Sequence, residues 1–180
     1  MRIALVGKAR TGKDTIAYFI NKHVKVHSMS VAYGDKLKSN LFDTFPNLPV
    51  DPKPREEMVK YGQFMREIQH DIWIEKLQDT VLFLQGNNDI HDFVITDLRQ
   101  FNEYLWAKQW GFTMVGVEST VELREERAKG DSVFYDTSET ESDIHLIPIE
   151  YLITNNGSIR ELEWQVVNML KKMGVELNER

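Results

Sequence analysis

The chain has 180 residues, of which 42% are hydrophobic, and a formal net charge of −6. This length fits a single domain with a sizeable core, and the acidic balance argues against a nucleic-acid polymer as the main partner, because such binders usually present a basic face. It has no cysteine, which excludes disulfides and a thiolate nucleophile, and no apolar run approaches the roughly 18 residues of a membrane span, so we expect a cytoplasmic protein that binds no membrane.

The first element is an apolar run over residues 2–6, and a glycine-rich segment, Gly-Lys-Ala-Arg-Thr-Gly-Lys-Asp-Thr, follows it directly at residues 7–15. Its spacing predicts a strand, a phosphate-binding loop and a helix. Backbone N–H groups of such a loop surround an anion, the lysine reaches the outer phosphates, and the helix N-terminus adds positive potential. We expect nucleotide phosphates to bind at Gly7, Ala9, Arg10, Thr11, Gly12, Lys13, Asp14 and Thr15.

One position departs from the usual pattern of this loop. The residue after the lysine is normally Ser or Thr, whose hydroxyl binds Mg²⁺, and here it is Asp14, with Thr15 behind it. We therefore expect Asp14, Thr15 and Asp97 to hold Mg²⁺ directly or through water, and the sequence does not decide among them.

Apolar strands and amphipathic helices alternate along the chain, which is the pattern of a parallel sheet covered by helices. The predicted strands are residues 2–6, 24–31, 93–96, 113–117 and 151–154. We expect one α/β domain over residues 1–180.

The longest interval between strands, about residues 35–88, contains three helical patterns and a proline-rich loop. Its place beside a small sheet suggests a lobe that binds the phosphate acceptor, through Asp35, Lys38 and Arg66 together with Arg99. The alternative is that these helices only cover the sheet, that Asp35 is a helix cap, and that the lysines are simply solvated.

The strand over residues 93–96 leads into Asp97 and Arg99. Parallel strands deliver their carboxyl ends to one crevice, so Asp97 is expected near the metal, while the planar guanidinium of Arg99 suits a phosphate. The alternative is that both residues cap the next helix and pair with neighbours such as Glu103.

A second long connection, about residues 120–148, resembles a lid. Arg124 and Arg127 lie three residues apart on one predicted helix face, from which they would close over transferring phosphates. The alternative is ordinary salt bridging with the neighbouring glutamates on a solvated helix.

The last predicted strand ends in a turn containing Asn155, Gly157 and Ser158. We expect Asn155 and Gly157 to contact the donor nucleotide, although a plain turn with a helix cap at Ser158 fits equally well. The five histidines show no metal-ligand spacing, and no nucleophilic triad is visible.

Taken together, the loop at 7–15, the segments at 32–38 and 96–103 and the turn at 155–158 resemble the phage-type deoxynucleoside monophosphate kinases. The likeness spans nearly the whole chain. It implies the adenylate-kinase-like fold, a five-stranded parallel sheet in the order 2-3-1-4-5 with an acceptor lobe and a lid. It also implies that Lys13 and Thr15 meet the donor phosphates and Mg²⁺, that Asp97 and Arg99 lie at the transfer site, and that Arg124 and Arg127 belong to the lid.

The expected activity is ATP-dependent phosphorylation of a (deoxy)nucleoside monophosphate with Mg²⁺ as cofactor, and ATP and a small phosphorylated acceptor are the expected partners. The sequence is also similar to dephospho-coenzyme A kinase and phosphomevalonate kinase, although it lacks the serine-ended loop common in the first. A nucleotide-binding switch is the alternative from another class, and the chain has no guanine-reading Asn-Lys-x-Asp segment. The sequence leaves the oligomeric state open, a homodimer included.

Overall fold

A computed structural model describes residues 1–129 and 143–178. Five strands form one parallel sheet in the order β2-β3-β1-β4-β5, which confirms the predicted α/β class and the implied strand order. The strands are β1 Arg2–Val6, β2 Ser28–Val31, β3 Asp92–Leu98, β4 Thr113–Glu118 and β5 Tyr151–Thr154.

Helices connect these strands. They are α1 Lys13–His23, α2 Tyr33–Thr44, α3 Arg55–Ile68, α4 Ile72–Asn88, α5 Phe101–Gln109, α6 Val121–Arg127 and α7 Ile159–Lys172, and one turn of 3-10 helix covers Ile144–Leu146. The three helical patterns predicted between residues 35 and 88 are therefore present as α2, α3 and α4.

The second strand begins at Ser28, four residues later than predicted, and the first two of the predicted residues pair with the C-terminal segment. Val24 ends α1, its N–H donating to Ile20 O at 3.0 Å, and forms an isolated antiparallel bridge with Leu177. The predicted start of this strand at residue 24 is therefore wrong, because Val24 and Lys25 bond to the C-terminal segment and not to the sheet.

The chain forms two compact units, Met1–Ser30 with Ile90–Arg180, and Val31–Asp89. In the first unit, α1 and α7 pack on one face of the sheet, where apolar residues alternate along each strand as expected for side chains of period two. This core includes Ile3, Leu5, Val94, Val115, Val117, Ile153, Ile16, Ile20, Val166 and Leu170.

The second unit consists mainly of α2, α3 and α4. Trp73 of α4 is buried, and its indole N–H donates to Gly62 O of α3 at 3.1 Å. A Cβ added at Gly62 would lie 2.6 Å from Leu37 Cδ1, so α2 and α3 approach closely there. In neither unit does a described helix have the length and apolarity to cross a membrane.

Candidate active site

The loop between β1 and α1 depends on two glycines for its shape. Gly12, the N-cap of α1, has a φ of 98°, a left-handed conformation that favours glycine. A Cβ on Gly12 would also collide with the side-chain amide of Asn155, and one on Gly7 would collide with the carbonyl oxygen of Val117 in β4. Both positions therefore require glycine for space, and Gly12 is also required for its backbone conformation.

Lys13 is the first residue of α1, and its side chain folds back over the loop. Its ammonium donates to Gly7 O at 2.6 Å and to Lys8 O at 2.8 Å, and the residue is only 8% exposed. The Thr11 hydroxyl donates to Lys8 O at 3.0 Å. These bonds close the loop into a ring with a buried cation at its edge, an arrangement suited to a polyphosphate.

The two residues after Lys13 occupy the first turn of α1. Asp14 is exposed and Thr15 is half-buried. Both offer oxygen atoms at the helix N-terminus, and their predicted role as Mg²⁺ ligands stays a prediction.

A bulge in β3 places Asp97 opposite Leu5, two residues before the loop begins at Gly7. Ala4 pairs with Ile95 and Val6 pairs with Leu98, so Leu5 stands opposite two residues of β3, Thr96 and Asp97. A bulge of this kind re-aims a side chain and is frequent beside functional sites. The carboxylate thus lies at the carboxyl end of the strand adjacent to β1, half-buried.

Arg99 begins the turn from β3 into α5, and Glu103 organises that turn. The Glu103 carboxylate accepts hydrogen bonds from the backbone N–H of Arg99 at 2.9 Å and of Gln100 at 3.0 Å. Glu103 is 3% exposed, and Gln100 is the N-cap of α5, completing a capping box. The cap is therefore Gln100, and Glu103 holds the backbone of Arg99, whose half-buried guanidinium stays a predicted phosphate ligand.

The two arginines of the predicted lid lie on the inward side of α6. Arg124 is 2% exposed. Arg127 donates to Arg10 O at 3.1 Å, to Ser119 Oγ at 3.0 Å and to Asn155 O at 3.0 Å, so its hydrogen bonds lead to segments outside α6. The part of the predicted lid at residues 130–142 lies outside the described residues.

The turn after β5 is attached to the phosphate-binding loop through Asn155. Its side-chain amide donates to Thr11 O at 2.8 Å, and the residue is 7% exposed. Gly157 is exposed. The contact of either residue with a nucleotide stays a prediction.

The same turn is closed by a capping box at the start of α7. The backbone N–H of Ser158 donates to Glu161 at 2.6 Å, and its hydroxyl accepts from Glu161 N at 3.2 Å. The hydrogen bonds from the Ser158 backbone and hydroxyl lower the pKa of Glu161, because they stabilise its charged form.

The predicted acceptor residues Asp35, Lys38 and Arg66 all belong to the second unit. Lys38 Nζ lies 3.0 Å from Asp35 Oδ1 in an i,i+3 ion pair on α2. Arg66 is half-buried in the last turn of α3. Their role in binding an acceptor stays a prediction.

Sequence reasoning missed Ser119, which bonds to both Arg127 and the turn after β5. Its hydroxyl donates to Asn155 O at 2.9 Å. A signal was available, since Ser119 directly follows β4, and the rule that selected Asp97 at the carboxyl end of β3 applies equally to β4. The hydrogen bond from the Asn155 side chain to the loop had no such signal, because its partner is 144 residues away.

No protein-family model matches the chain, and no curated protein matches it in sequence. Solved structures match in fold. Dephospho-CoA kinase from Campylobacter jejuni is 15% identical, with 96% of each chain covered and a TM-score of 0.53. The tunicamycin resistance protein of Deinococcus radiodurans is 14% identical, with 99% of this chain and 98% of that chain covered and a TM-score of 0.54.

A third match is shikimate kinase from Acinetobacter baumannii in complex with shikimate. It is 15% identical, with 96% of this chain and 93% of that chain covered and a TM-score of 0.50. These similarities extend over nearly the full length of each chain, although the sequences have diverged widely. The protein has the fold of the P-loop kinases.

Proposed function

We propose that this protein is a kinase that transfers the γ-phosphoryl group of ATP to the phosphate of a (deoxy)nucleoside monophosphate. The observation that carries the proposal is the loop at residues 7–13, a glycine-dependent ring with the buried Lys13 ammonium at its edge. The deoxynucleotide specificity is supported only by the resemblance of the sequence motifs.

The residues beside the loop suit phosphoryl transfer. The acceptor phosphate is ionised at neutral pH and needs no strong general base, so positioning and charge stabilisation supply the rate. Lys13 would neutralise donor oxygens, and Arg99 would orient the acceptor phosphate through a bidentate contact. Arg124 would stabilise charge on the transferring group, and the predicted lid would exclude water when it closes.

The available side chains fit Mg²⁺, which takes oxygen ligands and usually needs only one or two carboxylates besides phosphates and water. Asp97 at the bulge and Thr15 in the first turn of α1 provide such oxygens, and Asp14 provides a third. Among residues 1–129 and 143–178 no group of three or more metal-binding His, Cys, Asp or Glu side chains occurs. When bound, the ion would neutralise charge on the donor phosphate oxygens.

The direct test is to incubate the protein with ATP, Mg²⁺ and a panel of acceptors and to follow ADP formation. The panel contains the ribo- and deoxynucleoside monophosphates, dephospho-coenzyme A, phosphomevalonate and a blank without acceptor. We expect turnover with at least one nucleoside monophosphate and little with the blank. Turnover with only dephospho-coenzyme A or phosphomevalonate would contradict the proposal of a nucleoside monophosphate as acceptor. Tight ATP binding with neither transfer nor hydrolysis would indicate a nucleotide-binding switch.

A pair of lysine variants tests the donor site. Lys13→Ala should lower turnover by about 10²–10³-fold, the usual cost of removing one group that stabilises transition-state charge. The matched control is Lys25→Ala, because Lys25 forms an ion pair with Glu176 in which both side chains are largely exposed, and it should keep full activity. Full activity in Lys13→Ala would contradict the proposed donor site.

A further inference from the structure

The guanidinium of Arg127 connects three separate segments of the first unit. One Nη donates to Arg10 O in the phosphate-binding loop and to Ser119 Oγ after β4, and the other Nη donates to Asn155 O after β5. Three of the five donors of the guanidinium are thus committed to a backbone and hydroxyl frame.

The loop residue that Arg127 contacts has a costly conformation. Arg10 is not glycine, yet its φ is 64°, and the left-handed region costs about 1–2 kcal/mol for a residue with a Cβ. A residue with this conformation persists where surrounding contacts determine it. The hydrogen bond from Arg127 to the Arg10 carbonyl is such a contact.

Two successive loop carbonyls are held from outside the loop. Arg127 binds Arg10 O, and the Asn155 amide binds Thr11 O. In a trans peptide the C=O of one residue and the N–H of the next point in opposite directions. Holding these carbonyls toward Arg127 and Asn155 therefore turns the N–H groups of Thr11 and Gly12 the other way.

We propose that Arg127 is a positioning residue of the phosphate-binding loop. It fixes the peptides after Arg10 and Thr11 so that their N–H groups are available to a polyphosphate, and it does not itself grip the transferring phosphoryl group. The sequence placed Arg127 with Arg124 in a catalytic lid, and the three hydrogen bonds of Arg127 favour a positioning task for this arginine. The inference deepens the proposed function and rests on it for the identity of the ligand.

The test compares Arg127→Met, which keeps an apolar stem and removes all donors, with Arg127→Lys. Binding of inorganic tripolyphosphate and of ATP is measured by calorimetry, and kcat and KM are measured for ATP. Arg127→Met should weaken both ligands on the order of tenfold to a hundredfold, as expected for lost charge-assisted hydrogen bonds. KM for ATP should rise in parallel, and kcat should change by less than about threefold. The affinities of Arg127→Lys for both ligands should lie between those of Arg127→Met and the wild type.

Arg160→Met is the matched control, because Arg160 is exposed in the first turn of α7, and it should bind both ligands like the wild type. Thermal denaturation of each variant verifies that it is folded. Unchanged tripolyphosphate binding in Arg127→Met would overturn the inference. So would a hundredfold loss of kcat with unchanged binding, which would mark a contact with the transferring group.

Arg10→Gly provides a second, independent readout. Glycine adopts a positive φ without steric cost, so the loop should depend less on Arg127, and the loss of affinity caused by Arg127→Met should be smaller in the Arg10→Gly background than in the wild type. Equal losses in both backgrounds would overturn the inference. One outcome is that the wild type and the variants bind tripolyphosphate with the expected coupling between residues 10 and 127 although no phosphoryl transfer to any acceptor is found. That result would reject the proposed kinase activity and still support the positioning role of Arg127. If the wild type binds no tripolyphosphate, both proposals are overturned.

Discussion

The side chain of Asn155 attaches the phosphate-binding loop to the turn after β5. Its side-chain amide donates to Thr11 O at 2.8 Å within a buried environment, and the residue is 7% exposed. Asn155→Ala removes the donor and leaves the Thr11 carbonyl without this bond where water has little access. A buried acceptor left unsatisfied costs about 1–3 kcal/mol.

In a chain of this size each kcal/mol shifts Tm by about 2–4 °C, so Asn155→Ala should lower Tm by about 2–12 °C. Thermal denaturation followed by circular dichroism measures the shift. The neighbouring Asn156 provides the control, because its side chain also forms one hydrogen bond to the backbone, although as acceptor from Thr120 N at 2.9 Å and in an exposed setting.

Asn156→Ala should change stability by less than about 0.5 kcal/mol, since water replaces an exposed bond. The two variants therefore compare the loss of one buried and one exposed hydrogen bond between an asparagine side chain and the backbone. Equal Tm shifts in the two variants, or an Asn155→Ala shift below about 1 °C, would refute the reasoning that burial of the Asn155 bond anchors the loop.

Two further predictions concern the edge of the sheet and the start of α7. The Gln165 amide donates to Thr154 O at 3.0 Å and accepts from Thr154 N at 3.2 Å, so Gln165→Ala should expose the Thr154 backbone at the outer edge of β5 and increase self-association in light scattering. The control is Gln109→Ala at an exposed position, which should not increase self-association. Equal scattering by the two variants would contradict this prediction. The pKa of Glu161 is lowered in the folded state by the Ser158 hydrogen bonds, so its charge contributes stability above the unfolded pKa that is lost as pH falls through the folded pKa. The Tm difference between wild type and Glu161→Gln should be larger at about pH 7 than at about pH 3, and a difference that does not vary with pH would contradict this.

Most of the elements could be predicted from the sequence because their signals are local. The apolar run before Gly7 predicted β1 with its observed bounds, and the glycine-rich segment predicted that a helix follows the loop. The wrong start of the second strand has the same origin, since a local apolar pattern does not identify the pairing partner, which for Val24 is Leu177.

The candidate site could be predicted only in part. The motif identified the loop, and strand ends indicated Asp97, but the bulge opposite Leu5 that sets the position of Asp97 depends on pairing with β1. The roles of Asp14 as a metal ligand and of Arg66 as an acceptor ligand stay predictions, because they depend on bound molecules and not on the chain alone.

The sequence by itself determined the phosphate-binding loop, the alternation of strands and helices and, through resemblance, the strand order. These follow from residue spacing and from backbone preferences that act over a few positions. Only the tertiary structure decided that Arg127 and Asn155 bind successive carbonyls of the loop, over separations of 117 and 144 residues. Hydrogen bonds at such separations exist only once the carboxyl ends of β1, β4 and β5 lie side by side, which no local pattern specifies.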